Sequence, residues 1–270
     1  MPELPEVETV ALQLAPQLRG CVARRVAILD PRLRHGRLPR LAGRAVAAVS
    51  RCGKQVLIEF TGAPGRRDPL WLAIHLRMTG RLIWLAPGEP RERDHLRARL
   101  GFDRGELRFY DARRFGTFRW LRSAQAAAPA GLDPLSAELT PQRLGELARG
   151  STQNVKAWLL RQDRLVGIGN IYASEILHAA RIAPFRAVGS LDDGELRRLH
   201  AAIGKVLLRA ISYNGTTFSD FQDSRGVEGG FGRLLAVYDR EGRPCRRCRA
   251  PVRRVVQGQR STFHCAGCQR

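Results

Sequence analysis

Apolar residues at Leu4, Val7, Val10 or Ala11, Leu14 and Leu18 recur every three or four positions and predict one helix from about residue 3 to 18. Beyond it, up to about residue 122, the period shortens. Val56–Phe60 and Leu70–Ile74 are apolar runs of strand length. From His95 to Phe102 the chain alternates, with Leu96, Ala98, Leu100 and Phe102 on one face and Arg97 and Arg99 on the other. Asp103-Arg104-Gly105 reads as a hairpin turn into a further strand, Glu106–Asp111. Many short strands punctuated by Gly and Pro predict a β-sandwich or barrel. Residues 123–140 are rich in Ala and Pro and read as a linker. The helical period then returns. Leu196, Leu199, Ile203, Val206, Leu207 and Ala210 form one stripe, closed by Asn214-Gly215 as a C-cap. From about Asp239 the chain is dense in Arg and Cys. The expected organisation is a strand-rich domain over 1–122, a linker over 123–140, a helical domain over 141–238 and a Cys-rich module over 239–270.

Charge sharpens this picture. The 270 residues carry a formal net charge of +21, a surplus that points to a polyanionic partner, with nucleic acid the default. Nearly all of the basic side chains are Arg; the lysines are Lys54, Lys156 and Lys205. Neither a secretory signal nor an apolar stretch long enough to span a bilayer is visible, so the chain is expected in the cytosol with reduced thiols and no membrane association.

Cys245-x2-Cys248 and Cys265-x2-Cys268 are separated by sixteen residues. Two such turns supply four thiolates for a tetrahedral Zn2+ site with no open position, which is structural and not catalytic. Val252–Gln257 and Ser261–Phe263 read as the two strands of a ribbon hairpin, with Gly258-Gln259-Arg260 at its tip. Two disulfides or a redox pair are the competing reading. Arg246, Arg247, Arg249, Arg253, Arg254 and Arg260 crowd the hairpin; they read as a phosphate-binding surface or as a solvated basic face. Cys21 and Cys52 stand apart as ordinary buried thiols.

The first residues carry the candidate chemistry. Removal of Met1 would leave Pro2 with a free secondary amine, and an α-amino group titrates near neutrality, around pH 8. Such an amine can attack an aldehyde-level carbon and form an iminium. Glu3 and Glu6, three residues apart, are placed to move protons beside it. The same residues also serve as ordinary helix-start devices, and composition alone does not decide between the two.

The order and spacing of several motifs decide it. They are PELPEVET at 2–9, GK at 53–54, HLRMTG at 75–80, DARRFG at 111–116, GIGNIYASE at 167–175, GTT at 215–217 and QRSTFHCAGCQ at 259–269. Together they closely resemble the bacterial formamidopyrimidine-DNA glycosylase family, and the resemblance spans essentially the whole chain. It implies an α+β multidomain fold: an N-terminal β-sandwich with a leading helix, a helix–two-turn–helix domain and a zinc-ribbon β-hairpin. It implies a glycosylase and abasic-site lyase of base excision repair, acting as a monomer on double-stranded DNA that contains oxidised purines or abasic sites, in the bacterial cytoplasm and nucleoid.

By that resemblance Pro2 is the nucleophile on the sugar C1′, Glu3 protonates the sugar, and Glu6 positions the amine. Lys54 contacts phosphate and supports elimination, and Arg260 serves the second elimination. Met78, Arg113 and Phe115 match the residues that fill the gap left by a flipped nucleotide; read without the resemblance, Met78 and Phe115 are core residues. Asn170 and Tyr172 fall at the phosphate-holding helix turn, Gly167–Tyr172, and Lys156 lies upstream of it as a further expected phosphate contact. Gly226–Phe231 matches a loop that covers the flipped base. Arg93 stands where the family often has the first His of a pair and His95 keeps the second, both as expected DNA contacts. Ser151, Leu132-Asp133-Pro134 and Asn214 also depart from the usual pattern. Two rival readings are a sister, endonuclease-VIII-like enzyme for oxidised pyrimidines and a non-catalytic ribbon protein that binds DNA.

Overall fold

The structure is a computed structural model, described here for residues 1–34, 38–62, 68–88, 94–217 and 222–270. The chain divides into two compact units. The first comprises Met1–Ala128 and Tyr213–Gly232; the second comprises Pro129–Ser212 and Arg233–Arg270.

The first unit begins with α1 (Leu4–Leu18), whose N-cap is Glu3. Glu3 and Glu6 form a reciprocal capping box, in which the Glu3 N–H donates to Glu6 Oε2 at 2.8 Å. Leu4, Val7, Val10, Leu14 and Leu18 are all buried, as the three-four spacing predicts. Eight strands follow: β1 (Ala23–Ile28), β2 (Val46–Cys52), β3 (Gln55–Phe60), β4 (Leu70–His75), β5 (Arg81–Leu85), β6 (Leu96–Phe102), β7 (Glu106–Tyr110) and β8 (Thr117–Leu121). They make two antiparallel four-stranded sheets, ordered β1-β6-β7-β5 and β2-β3-β4-β8, which form a β-sandwich.

Val56, Ile58 and Phe60 point into one core with Leu72, Leu100 and Phe109. The odd positions of β3 and β4 are covered as well. Leu57 and Ala73 pack beneath Ala127, which lies in a 3-10 turn over Gln125–Ala127. Burial on both faces explains why these strands read as continuous apolar runs and not as an alternation. It also shows that the first part of the expected linker is packed onto the sheet. The β6–β7 hairpin follows the alternation: Leu100 pairs with Leu107, and the Phe102 N–H reaches the Gly105 carbonyl at 2.8 Å. His95 lies outside the strand expected to include it, because its backbone is left-handed (φ 73°).

The second unit holds α2 (Pro141–Ala148), α3 (Val155–Leu159), α4 (Asn170–Ala180) and α5 (Asp193–Ser212), then the hairpin β9 (Arg253–Gln257) and β10 (Arg260–His264). Thr140 caps α2 and Asn154 caps α3, each accepting a backbone N–H. On α5 the buried stripe is Leu199, Ala202, Ile203, Leu207 and Ala210. The β9–β10 turn is the two-residue Gly258-Gln259, both with positive φ (53° and 61°), the conformation that suits a tight hairpin. Arg260 is therefore not at the tip but is the first residue of β10, paired with Gln257. Residues 213–232, which the helical reading placed with the second region, belong to the first unit. The left-handed Asn214 (φ 59°) and Gly215 (φ 76°) end the helical path just past α5.

Candidate functional site

In the first unit the N-terminus is held by a buried carboxylate. Glu6 is 1% exposed. Its Oε2 accepts the Glu3 N–H and its Oε1 accepts the Thr216 N–H, both at 2.8 Å. Gly215 makes this possible: a Cβ there would lie 2.8 Å from the Glu6 carboxylate, and its φ is +76°. With both oxygens engaged, Glu6 suits positioning better than proton transfer. Pro2 and Glu3 are buried beside it, while Met1 is 46% exposed. As long as Met1 is attached, the Pro2 nitrogen is an amide; the amine exists only once Met1 is removed.

Lys54 follows Gly53 (φ 59°) in the two-residue turn that joins β2 to β3. The helix reaches this turn through one arginine. Arg51 Nε donates to Glu8 on α1 at 2.5 Å, and Arg51 Nη1 donates to the Gly53 carbonyl at 3.3 Å. His75 is nearby. Burial, then the charges of Arg77 and Lys54, hold its pKa down to about 4. It is neutral at physiological pH, and because Nδ1 accepts the Arg77 N–H at 3.0 Å, the ring proton sits on Nε2.

Met78, Arg113 and Phe115 lie on two loops that a single acid joins. Asp111 is 1% exposed. Its Oδ1 accepts the Thr79 hydroxyl, its Oδ2 accepts the Gly116 N–H at 2.7 Å, and Thr79 Oγ1 in turn accepts the Arg113 N–H at 3.1 Å. Gly116 admits no side chain, since a Cβ would sit 2.4 Å from the Phe109 ring. Next to it, Arg114 (φ 58°) donates to both oxygens of Asp30, at 2.7 and 2.8 Å. Those bonds hold the Asp30 carboxyl down at about 2 despite its burial. The loops present Met78 and Phe115 outward, 39% and 48% exposed, with the Arg113 guanidinium 4.8 Å over the Phe115 ring. Neither apolar side chain is in the core, as the pattern without the resemblance would have had them. His95 is exposed, and Arg93 lies outside the described residues.

The covering loop expected over Gly226–Phe231 is partly stitched down. Gly229, Gly230 and Phe231 donate to Thr217 Oγ1, the Tyr213 carbonyl and the Gly215 carbonyl, at 2.8 to 3.0 Å. Before it, the buried Asp223 accepts the Arg225 and Val227 N–H groups at 2.9 Å and the Gln13 amide of α1 at 2.8 Å.

In the second unit two expected phosphate contacts are corrected. Lys156 is 1% exposed, and its ammonium donates to the Ser261 carbonyl at 2.9 Å and Thr262 Oγ1 at 2.7 Å. It braces strand β10 and has no surface to offer a phosphate. The Tyr172 side chain is fully buried. Asn170 is the first residue of α4, after Gly169 as N-cap, and its amide donates to the same Ser261 carbonyl at 2.9 Å. These anchors fix the strand that opens with the exposed Arg260.

The four cysteines converge. Their Sγ atoms all lie within 4.8 Å of one another, with Cys245–Cys268 at 3.9 Å and Cys248–Cys265 at 3.4 Å. A tetrahedral ion with bonds of about 2.3 Å needs sulfur–sulfur edges of roughly 3.8 Å. The donor set and its size fit a metal ion, and the paired-disulfide reading is not realised. Glu175 on α4 supports the entry to the ribbon, accepting the Ala236, Val237 and Tyr238 N–H groups at 2.8 to 2.9 Å.

Sequence reasoning passed over Thr79, Asp111, Gln13, Asp223 and Glu175. Each acts through a buried polar contact far away in sequence or across a turn, which periodicity does not register. The acids inside the DARRFG and GIGNIYASE motifs were the available signal.

A capped N-terminal residue on a β-sandwich, a set of helices and a four-cysteine ribbon are the parts that the sequence motifs imply. Comparisons with known proteins agree. Residues 1–118 match the family model described as the formamidopyrimidine-DNA glycosylase N-terminal domain, and residues 130–222 match its H2TH domain. The formamidopyrimidine-DNA glycosylase of Symbiobacterium thermophilum is 44% identical, with 100% of this chain and 89% of that protein covered. The MutM (Fpg) protein of Thermus thermophilus is 38% identical, with a TM-score of 0.86 over 99% of this chain and 98% of that one. Lactococcus lactis Fpg bound to DNA containing an abasic site is 30% identical, with a TM-score of 0.85 over 99% of both chains. The chain belongs to the formamidopyrimidine-DNA glycosylase family and is an enzyme of that family, which also carries abasic-site lyase activity.

Proposed function

We propose that this enzyme excises oxidised purines, 8-oxoguanine and formamidopyrimidines, from duplex DNA and then cuts the strand. The observation that carries the reading is the N-terminus itself: Pro2 buried beside Glu3, with the Glu6 carboxylate pinning the Glu3 and Thr216 N–H groups. After loss of Met1, the Pro2 nitrogen bonds to C1′ while the glycosidic bond breaks and the base leaves with a proton. Glu3 supplies a proton to the sugar oxygen as its ring opens, giving an iminium. Loss of a C2′ proton then expels the 3′ phosphate, and a second elimination expels the 5′ phosphate. Lys54 and Arg260 are the cations assigned to these steps.

The reacting base must leave the stack, since an amine cannot reach C1′ inside a duplex. Met78 and Phe115 fill the gap, and Arg113 donates to the partner base. His95 and Asn170 add contacts to the backbone. Cys245, Cys248, Cys265 and Cys268 hold one Zn2+, which crosslinks the ribbon and takes no part in the chemistry. The enzyme works as a monomer in the bacterial cytoplasm and nucleoid; among the described residues no helix is long and apolar enough to cross a membrane.

Borohydride reduction during reaction with duplex DNA carrying 8-oxoguanine tests the reading. A protein–DNA adduct that maps to the N-terminal peptide is expected. An adduct elsewhere, or full activity with Met1 retained, refutes it. A second reading has one observation in its favour: a Lactococcus lactis Fpg of 30% identity and TM-score 0.86 has been solved with DNA containing an oxidised pyrimidine. Equal or better excision of oxidised pyrimidines would move this enzyme to that substrate class.

A further inference from the structure

One buried side chain at the cysteine cluster belongs to none of the roles above. His178 sits in the last turn of α4 and is 4% exposed. Its Nε2 lies 3.4 Å from Cys245 Sγ. The same residue meets the knuckle a second time, since Arg247 Nη1 donates to the His178 carbonyl at 3.2 Å. This second contact caps a carbonyl at the C-terminal end of the helix.

We propose that His178 is a positioning residue of the four-cysteine centre: its Nε2–H donates to the Cys245 sulfur, slows loss of the metal and ties the ribbon to α4. The proposal rests on the reading that the cluster holds zinc.

Four thiolates around a divalent cation leave two net negative charges, and each sulfur is stabilised by the donors that point at it. The four sulfurs are not equally placed to find them. Cys248 is exposed and Cys268 half-buried, so water can solvate both. Cys245 is fully buried. Its sulfur accepts the Arg247 N–H at 3.4 Å, a bond that the knuckle turn supplies by itself. The Cys248 N–H of the same knuckle also faces this sulfur, and the donor that comes from outside the ribbon is His178. An aliphatic or aromatic side chain would fill the same volume against the knuckle and donate nothing. The choice of an imidazole there is therefore informative. A donor that supports a ligand is typically worth ten- to a hundredfold in metal affinity.

The test uses the full-length protein as purified, with metal content measured first. Zinc transfer to a chromophoric chelator is then followed for the wild type, His178→Phe and His178→Gln. His178→Phe should release zinc about tenfold faster or more. His178→Gln, which keeps an N–H donor, should remain close to wild type. In the cobalt-substituted proteins, the sulfur-to-metal charge-transfer band of His178→Phe should move to lower energy, because a sulfur that has lost a hydrogen bond gives up electron density more easily. That band reports on the sulfur directly, because its energy is set by the assembled centres and only its intensity by how many have assembled. Equal release from wild type and His178→Phe with an unshifted band would overturn the proposal. So would a His178→Gln that behaves like His178→Phe in both measurements. A cobalt spectrum showing nitrogen ligation would also overturn it, by making His178 a ligand. A wild-type chain without stoichiometric metal would overturn the zinc reading instead, and the proposal with it.

Discussion

The β-sandwich unit and the ribbon of the second unit solve the same problem by different means. Each must hold exposed side chains still. In the first unit, the loops bearing Met78, Arg113 and Phe115 rise from a large apolar core shared by α1 and both sheets. One buried acid, Asp111, is enough to join them. The ribbon's own core is Val237, Cys245, Val252, Phe263 and Cys265, two of which are cysteines. Burial of three apolar side chains contributes roughly 5–9 kcal/mol, at about 1.5–3 kcal/mol each, which does not offset the backbone entropy of ordering some thirty residues. The sandwich is held by packing and merely tuned by polar contacts. The ribbon is held by polar contacts and by its four sulfurs, with Lys156 and Asn170 gripping one carbonyl of β10.

The largest test of that contrast is metal removal. Chelation, or Cys248→Ser, should abolish zinc and DNA binding together, with losses of several orders of magnitude in affinity. The circular-dichroism signal and melting of the sandwich should persist. A metal-free protein that binds DNA with full affinity would show that the ribbon needs no ion.

The polar anchors come next. Lys156→Met should leave the Ser261 carbonyl short of a donor and cost about 1–3 kcal/mol in stability. Hydrogen exchange should rise in β10 and not in the sandwich. A protected β10 in Lys156→Met would mean that Asn170 alone suffices.

A comparable magnitude applies to specificity. Arg113→Ala should shrink the preference for 8-oxoguanine opposite C over A, by roughly the 1–3 kcal/mol of a lost bidentate base contact. Cytosine offers acceptors to the guanidinium fork, whereas adenine offers an amino donor. Iminium formation at a pre-made abasic site should be largely spared. Asp111→Asn should weaken the same preference indirectly, since Met78 and Arg113 lose their common support. If Asp111→Asn discriminates as the wild type does, the loops hold their shape without it.

What the sequence disclosed follows the same division. Residues whose role is periodic or covalent were legible: the α1 stripe, the β6–β7 hairpin and the paired cysteines. The GIGNIYASE segment was legible as a motif but not in its parts. Nothing in a lysine followed by a helical run says whether its ammonium meets a phosphate or, as with Lys156, a carbonyl 105 residues away. Tyr172 was misread for the same reason, because a tyrosine at a helix start carries no mark of which way it points. Arg260 was placed at a turn tip because Gly258-Gln259-Arg260 looks like a three-residue loop. The left-handed Gln259 allows a two-residue turn and moves Arg260 into the strand. His178 left no signal at all, since its partner is a cysteine already claimed by a stronger pattern.

The smallest expected effect concerns Asp30, and its sign is fixed by the direction of its shift. Arg114 is bonded to both carboxylate oxygens of Asp30, and Arg97 adds a contact at 3.9 Å. The folded carboxyl is thereby held at about 2, below its ordinary value of 3.8. A depressed carboxyl stabilises the fold at pH above the unfolded value, and this contribution fades as pH falls from about 4 towards 2. Asp30→Asn should therefore be less stable than wild type at neutral pH. The gap in urea midpoint should narrow through that acid window and vanish only below it, where the carboxyl is protonated in both states. The effect is modest because Arg114 is 41% exposed and the pair is screened by water and salt. Raising salt at pH 7 should narrow the gap without removing it, because Asp30 itself is only 3% exposed. A gap that stays constant from pH 7 to pH 2 would mean that Asp30 acts through shape alone. The loop bearing Arg114 and Phe115 would then owe its conformation to Asp111 and the glycine at 116, and the sandwich would be even less dependent on charge than its comparison with the ribbon suggests.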